Sequence, residues 1–171
     1  NDTNNNIFQC GTIDSPGVYN MNQSINITVD HCLSITTSNI TIEGNNFNIT
    51  GDNITYSGFG IRFFSSNQLS NITIKNLNIF NFNAGIVLLA STGKFFNNFL
   101  TNIAVSNSGT GISSSAAFAT ISNLTLINFT ASNNTNGIAI SLNSGQGYNF
   151  SSIYLYNNSG VGLKIDTFTG F

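Results

Sequence analysis

Charge is what this chain has least of. Only 6% of its residues are charged, four basic and six acidic, for a formal net charge of −2. Ordinary globular domains carry about 25%. Four cations are too few for the basic patch that nucleic acid requires, and they offer an anionic bilayer surface little to attract. Trp is absent, Pro and Met occur once each, and Arg62 and His31 are the single Arg and His. Long hydrophobic runs are missing too. Ala84 to Ala90, broken only by Gly85, is the longest, and about 20 apolar residues are needed to cross a bilayer. Membrane insertion is therefore not expected.

Carboxylates are absent from the whole stretch 71–148; the six are Asp2, Asp14, Asp30, Glu43, Asp52 and Asp166. Glycoside hydrolysis needs a paired acid and base or nucleophile, and that stretch has neither. No Cys/His set has zinc spacing, and no Gly-rich phosphate loop follows a strand. His31 sits between Asp30 and Cys32, which raises the thought of a metal or a triad; a lone His beside a cysteine pair is expected to be structural. No catalytic residue, metal or cofactor is expected.

What the chain has in excess is Asn, 31 of 171 residues, with 39 Ser and Thr. Residues 71–86, 97–112 and 123–138 align as NITIKNLNIFNFNAGI, NNFLTNIAVSNSGTGI and NLTLINFTASNNTNGI. One Asn column is Asn71, Asn97 and Asn123, which the same step extends to Asn149. A second is Asn76, Asn102 and Asn128, a third Asn81, Asn107 and Asn133. Each block closes on Gly-Ile: Gly85-Ile86, Gly111-Ile112 and Gly137-Ile138. The step is 26 residues each time, and a fixed period of this size is the mark of a stacked-repeat architecture.

Inside each block apolar residues alternate, as in Ile72-Thr73-Ile74 and Leu124-Thr125-Leu126. That is strand periodicity. Three short strands per unit with short linkers imply coils stacked so that each strand pairs with its equivalent one coil away. Equivalent residues then lie about 4.8 Å apart. Stacked Asn side chains can form amide ladders, and Asn tolerates the left-handed conformation a corner needs. Gly at the start of the third strand is expected to serve a corner in the same way. Phe is frequent, 15 residues, and Phe95, Phe96, Phe99, Phe118 and Phe129 are candidates to fill the core.

The pattern resembles the right-handed parallel β-helix proteins of the pectate-lyase-like superfamily. It resembles more closely the NosD-like repeat proteins of archaeal surfaces, through the segments Cys10-Gly11-Thr12-Ile13-Asp14-Ser15-Pro16-Gly17-Val18-Tyr19 and Cys32-Leu33-Ser34-Ile35 with Ser38-Asn39-Ile40-Thr41-Ile42-Glu43-Gly44-Asn45. The resemblance implies one all-β domain over 1–171, a right-handed parallel β-helix of about 26 residues per coil and about six coils. Residues 1–31 would be the lead-in and cap, and 32–171 the coils. The fold hosts lyases, hydrolases, adhesins and structural proteins alike, so it does not choose a function.

The chain begins at Asn1 rather than Met, and we read it as a processed, secreted chain placed outside the cell or on its surface. Two cysteines in such a chain suggest one disulfide, Cys10 to Cys32; two buried free thiols are the alternative. Sequons, which mark surface positions in secreted proteins, fall at Asn1, Asn22, Asn26, Asn39, Asn48, Asn53, Asn71, Asn123, Asn128, Asn133, Asn149 and Asn157. All but Asn1 are taken as glycan candidates. The first Asn column is expected to be an outward glycan stripe, the other two structural ladders.

Leu163, Ile165 and Thr167 alternate toward Phe168 and Phe171 without a capping helix or charged gatekeepers. Solenoid ends need covers. Either the chain continues or a second copy covers that end, with Phe168 and Phe171 at the contact. The expected protein is a non-enzymatic, glycosylated structural subunit whose partners are copies of itself. The alternative is a carbohydrate-binding or carbohydrate-processing module, with Tyr56, Tyr148, Tyr154 and Tyr156 as candidate sugar platforms.

Overall fold

In the computed structural model, residues 5–28, 30–52, 58–66, 68–90, 94–114, 120–142 and 144–167 are described. They form a parallel β-solenoid without helix. Strands collect into an 11-stranded and a 7-stranded sheet, and neighbours pair in parallel throughout, as in Ile74↔Leu100 and Leu100↔Leu126. About five full turns are present, flanked by partial ones. From Asn71 to Asn128 the amide ladders climb in steps of 26 residues. No helix long and apolar enough to cross a membrane exists among the described residues.

The alternation of the sequence becomes burial alternation. In Ile72–Phe80, Ile72, Ile74, Leu77 and Ile79 point into the core, and the residues between them are partly exposed. Stacking continues each inward position as a column, for example Leu33, Ile61, Ile86, Ile112, Ile138 and Leu163. Phe95 and Phe129 are fully buried, as expected. Phe96 and Phe99 are only half-buried: both alternate with inward residues and sit on the outer face. Phe118 lies outside the described residues.

The first two apolar runs of each unit join into one long strand, Lys94–Ser106 and Thr120–Ser132, bent without being interrupted. Asn makes the bends. Among the described residues thirteen Asn hold φ between 51 and 63°, a region that costs most other side chains about 1–2 kcal/mol.

Gly does a different job from the one expected of it. Gly60, Gly85, Gly111 and Gly137 have ordinary φ, so they turn no corner. They are needed because a side chain has no room. A Cβ at Gly85 would overlap Val105 and come within 3.0 Å of the Gly111 carbonyl, and one at Gly60 would come within 2.7 Å of the Gly85 carbonyl. The Gly-Ile column is a line of close backbone approach.

At the N-terminal end, Asn5–Ile7 pairs with Gly17–Met21 and Gly11–Ile13 with His31–Ile35. The Cys10–Cys32 disulfide is formed, with a sequence separation of 22, and clips this partial turn to the first full coil.

Candidate functional site

Three asparagine systems run along the solenoid. In the first, Asn71 Nδ2 donates to Asn39 Oδ1 (3.0 Å), Asn97 to Asn71 (3.3 Å) and Asn123 to Asn97 (2.9 Å). All four are exposed. In the second, Asn128 donates to Asn102 (2.9 Å), Asn102 to Asn76 (2.8 Å) and Asn76 to Glu43 Oε1 (2.8 Å). The first column is therefore a hydrogen-bonded ladder as much as the second is. The third, Asn81, Asn107 and Asn133, reaches Asn157 in the last coil, since Ser132 pairs with Tyr156.

Asn149 does not belong to the first column. Thr125 pairs with Asn149, so Gly147 takes the place above Asn123, with φ of 74°. The last step is two residues short: Asn134 and Asn158 are joined at a separation of 24. Ser152 takes the equivalent left-handed place in the second column.

A fourth system lies inside and was not foreseen. After each third-column Asn the next N–H turns inward, and a side chain of the following coil accepts it. Phe82 N donates to Ser108 Oγ (3.1 Å), Ser108 N to Asn134 Oδ1 (2.8 Å) and Asn134 N to Asn158 Oδ1 (3.1 Å). Asn134 Nδ2 and Asn158 Nδ2 return bonds to the Val105 and Ala131 carbonyls. The signal was the second polar residue of Asn107-Ser108, Asn133-Asn134 and Asn157-Asn158. Asn98 does the same at the first corner, accepting from Ile72 N at 3.3 Å. It is 1% exposed, and its Nδ2 has no partner.

Of the sequons, Asn22, Asn26, Asn39, Asn71, Asn123, Asn128, Asn133, Asn149 and Asn157 are exposed, and Asn48 is half-buried. Asn1 and Asn53 lie outside the described residues, as do Phe168, Phe171 and Tyr56. Tyr148 is half-buried, donates to the Ile121 carbonyl at 2.9 Å and meets Phe150 edge-on; burial raises its pKa. It offers no platform. Tyr154 and Tyr156 do, being 55% and 52% exposed on one outer face. Beside Tyr156 a groove of about 420 Å³ follows the third corner, lined by Asn107, Asn133, Asn157 and Ser159 among others.

The ionisable groups stand apart. His31 stacks flat on Phe59 at 5.7 Å between ring centres. Arg62 donates from Nε to Ser34 Oγ (2.6 Å) and covers the Phe64 ring. Glu43 pairs with Lys75 at 3.0 Å. Burial pushes its carboxyl up, but hydrogen bonds from Asn76, Asn45 and Lys75 outweigh that and leave it below the usual value. Lys164 pairs with Asp166 at 2.8 Å. Among the described residues no three His, Cys, Asp or Glu gather as a metal site would require.

The last described coil is less buried than the one beneath it. Leu163 is 50% and Ile165 38% exposed, whereas Ile138 and Ile140, the inward residues beneath them, are fully buried. A Cβ at Gly162 would meet nothing within 4 Å.

These features define a parallel β-solenoid with outward amide ladders. No protein-family model matches the chain, and searches of curated proteins and of solved structures give no match either.

Proposed function

We propose that the chain is a non-enzymatic, secreted and N-glycosylated structural protein whose copies stack head to tail into a filament, sheath or surface layer at the cell exterior. Kinship with the pectate-lyase-like β-helices, and with the NosD-like archaeal surface repeats in particular, belongs to the same proposal. The half-exposed inward column of the last coil carries the reading. Leu163 and Ile165 pair with Ile138 and Ile140, which are fully buried, yet stand half-exposed themselves, and apolar strands at a sheet edge recruit further strands.

A second copy fits that place because both ends continue the same columns. Following the pairings, Leu155 stands in the column that begins at Ile25. Leu163 stands in the column that begins at Gly11, where a Cβ would meet nothing within 4 Å. The Leu163 side chain of one copy would fill the space left above Gly11 of the next. A contact of this head-to-tail type does not close on itself and generates open polymers.

Leu163→Asp puts a charge into that contact and is expected to abolish assembly seen by sedimentation, as are Phe168→Asp and Phe171→Asp. Assembly unchanged in all three would overturn the reading. The exposed pair Tyr154 and Tyr156 favours a second reading, a carbohydrate-binding module, because Tyr rings offer sugars an apolar face and a polar tip. A glycan array separates the two: a scaffold alone binds nothing on it.

A further inference from the structure

The first ladder fixes how each amide in it is turned. Asn97 donates from Nδ2 toward Asn71 and accepts on Oδ1 from Asn123. Its N–H and C=O therefore point opposite ways along the axis, as in a trans peptide. The ladder uses the amide proton that lies anti to the carbonyl, and the second proton points away from the column toward solvent. Asn71 is turned the same way, donating to Asn39 and accepting from Asn97. Asn123 donates to Asn97 as well, and Gly147 packs against its Oδ1, where a Cβ would overlap it, on the side away from the outward proton.

An N-linked sugar converts the primary amide to a secondary one. Secondary amides strongly prefer trans. Trans places the sugar carbon where the outward proton was and keeps the proton that the ladder uses. A glycan and a ladder hydrogen bond are thus compatible on one Asn.

Spacing adds a restriction. Successive coils are about 4.8 Å apart, which is narrower than a branched sugar. Asn97 lacks a sequon, so sugars on Asn71 and Asn123 sit two coils apart. Asn39 and Asn71 are sequons on adjoining coils.

We infer that Asn123, together with one of the adjoining pair Asn39 and Asn71, carries an N-linked glycan on the outward position of Nδ2 while its ladder hydrogen bond persists. The donor class is a lipid-phosphate-linked oligosaccharide. The Nδ2–C1 bond forms as the bond from C1 to the carrier phosphate oxygen breaks. The amide proton passes to a base of the transferase, and the lipid phosphate leaves. This assignment rests on the secreted, N-glycosylated reading above and names its sites.

The test is glycopeptide mass spectrometry of the full chain secreted from a glycosylating host, with melting curves. Asn123 is expected to be occupied, and each molecule to carry a single sugar on either Asn39 or Asn71. Thr125→Val removes the sequon and keeps Asn123; it is expected to lose that glycan and melt as the wild type does. Asn123→Gln is expected to lose the glycan and melt several degrees lower. The assignment is overturned by a bare Asn123 while other sequons carry sugar, by sugar on neither or full occupancy of both of Asn39 and Asn71, or by a wild type that melts no higher than Asn123→Gln. Sugar at no sequon at all would sink the glycoprotein reading itself.

Discussion

At the scale of the residue, Asn does two things that no other side chain combines. It accepts a left-handed backbone, and its amide both donates to one coil and accepts from the next. Ala at such a place loses both, and Gly loses only the ladder. Asn97→Ala is expected to cost about 2 kcal/mol in urea denaturation, from backbone strain and lost hydrogen bonds. Asn97→Gly should cost about 1 kcal/mol less; equal costs would mean that conformation is not what selects Asn. These columns were legible in the sequence because like stacks on like at a constant step. Asn149 was misplaced for the same reason. Strand pairing sets register, and the last step is shorter by two residues, so Gly147 rather than Asn149 lands above Asn123. Asn98, Asn134 and Asn158 went unread because an Asn one place past a corner looks like surface until the inward turn of the N–H is seen.

At the scale of the element, the glycine line fixes how closely two faces of a coil approach. Gly85→Ala drives a methyl into Val105, and overpacking of this kind costs about 1–3 kcal/mol. Gly162→Ala, with nothing within 4 Å, is expected to be neutral. Thermal melts of the two variants check the contrast, and equal effects would count against it. The sequence marked the glycines but not their purpose, since a corner and a close approach select the same residue. The Cys10–Cys32 clip is the other local device. Reduction is expected to lower stability by about 3 kcal/mol, mainly by freeing the chain when unfolded.

Glu43 gives the second ladder its terminal acceptor and makes a local pH test. Its folded pKa is lowered, so its contribution is complete above the ordinary value of 4.5 and is lost as pH falls through the lower folded value. Melting temperature should therefore fall in that acid range for the wild type and fall less for Glu43→Gln. Identical acid profiles would exclude the ladder end as the cause.

At the scale of the whole molecule, the fold was readable because a solenoid repeats one solution to the burial problem. Function was less so. Low charge and dispersed carboxylates say what chemistry lacks residues here, and the Asn surface suits glycans, solubility and stacking at once. The proposed meeting of the two ends rests on registers that only the pairings reveal. Leu155 and Leu163 stand in the columns of Ile25 and Gly11 because every intervening strand keeps step.

The most direct test is electron microscopy of the native, undenatured protein. Head-to-tail stacking predicts filaments, single or laterally associated, with a regular axial repeat of at least about 34 Å, the height of the seven described strand layers at about 4.8 Å each. Dispersed single particles, or assemblies without that repeat, would contradict it.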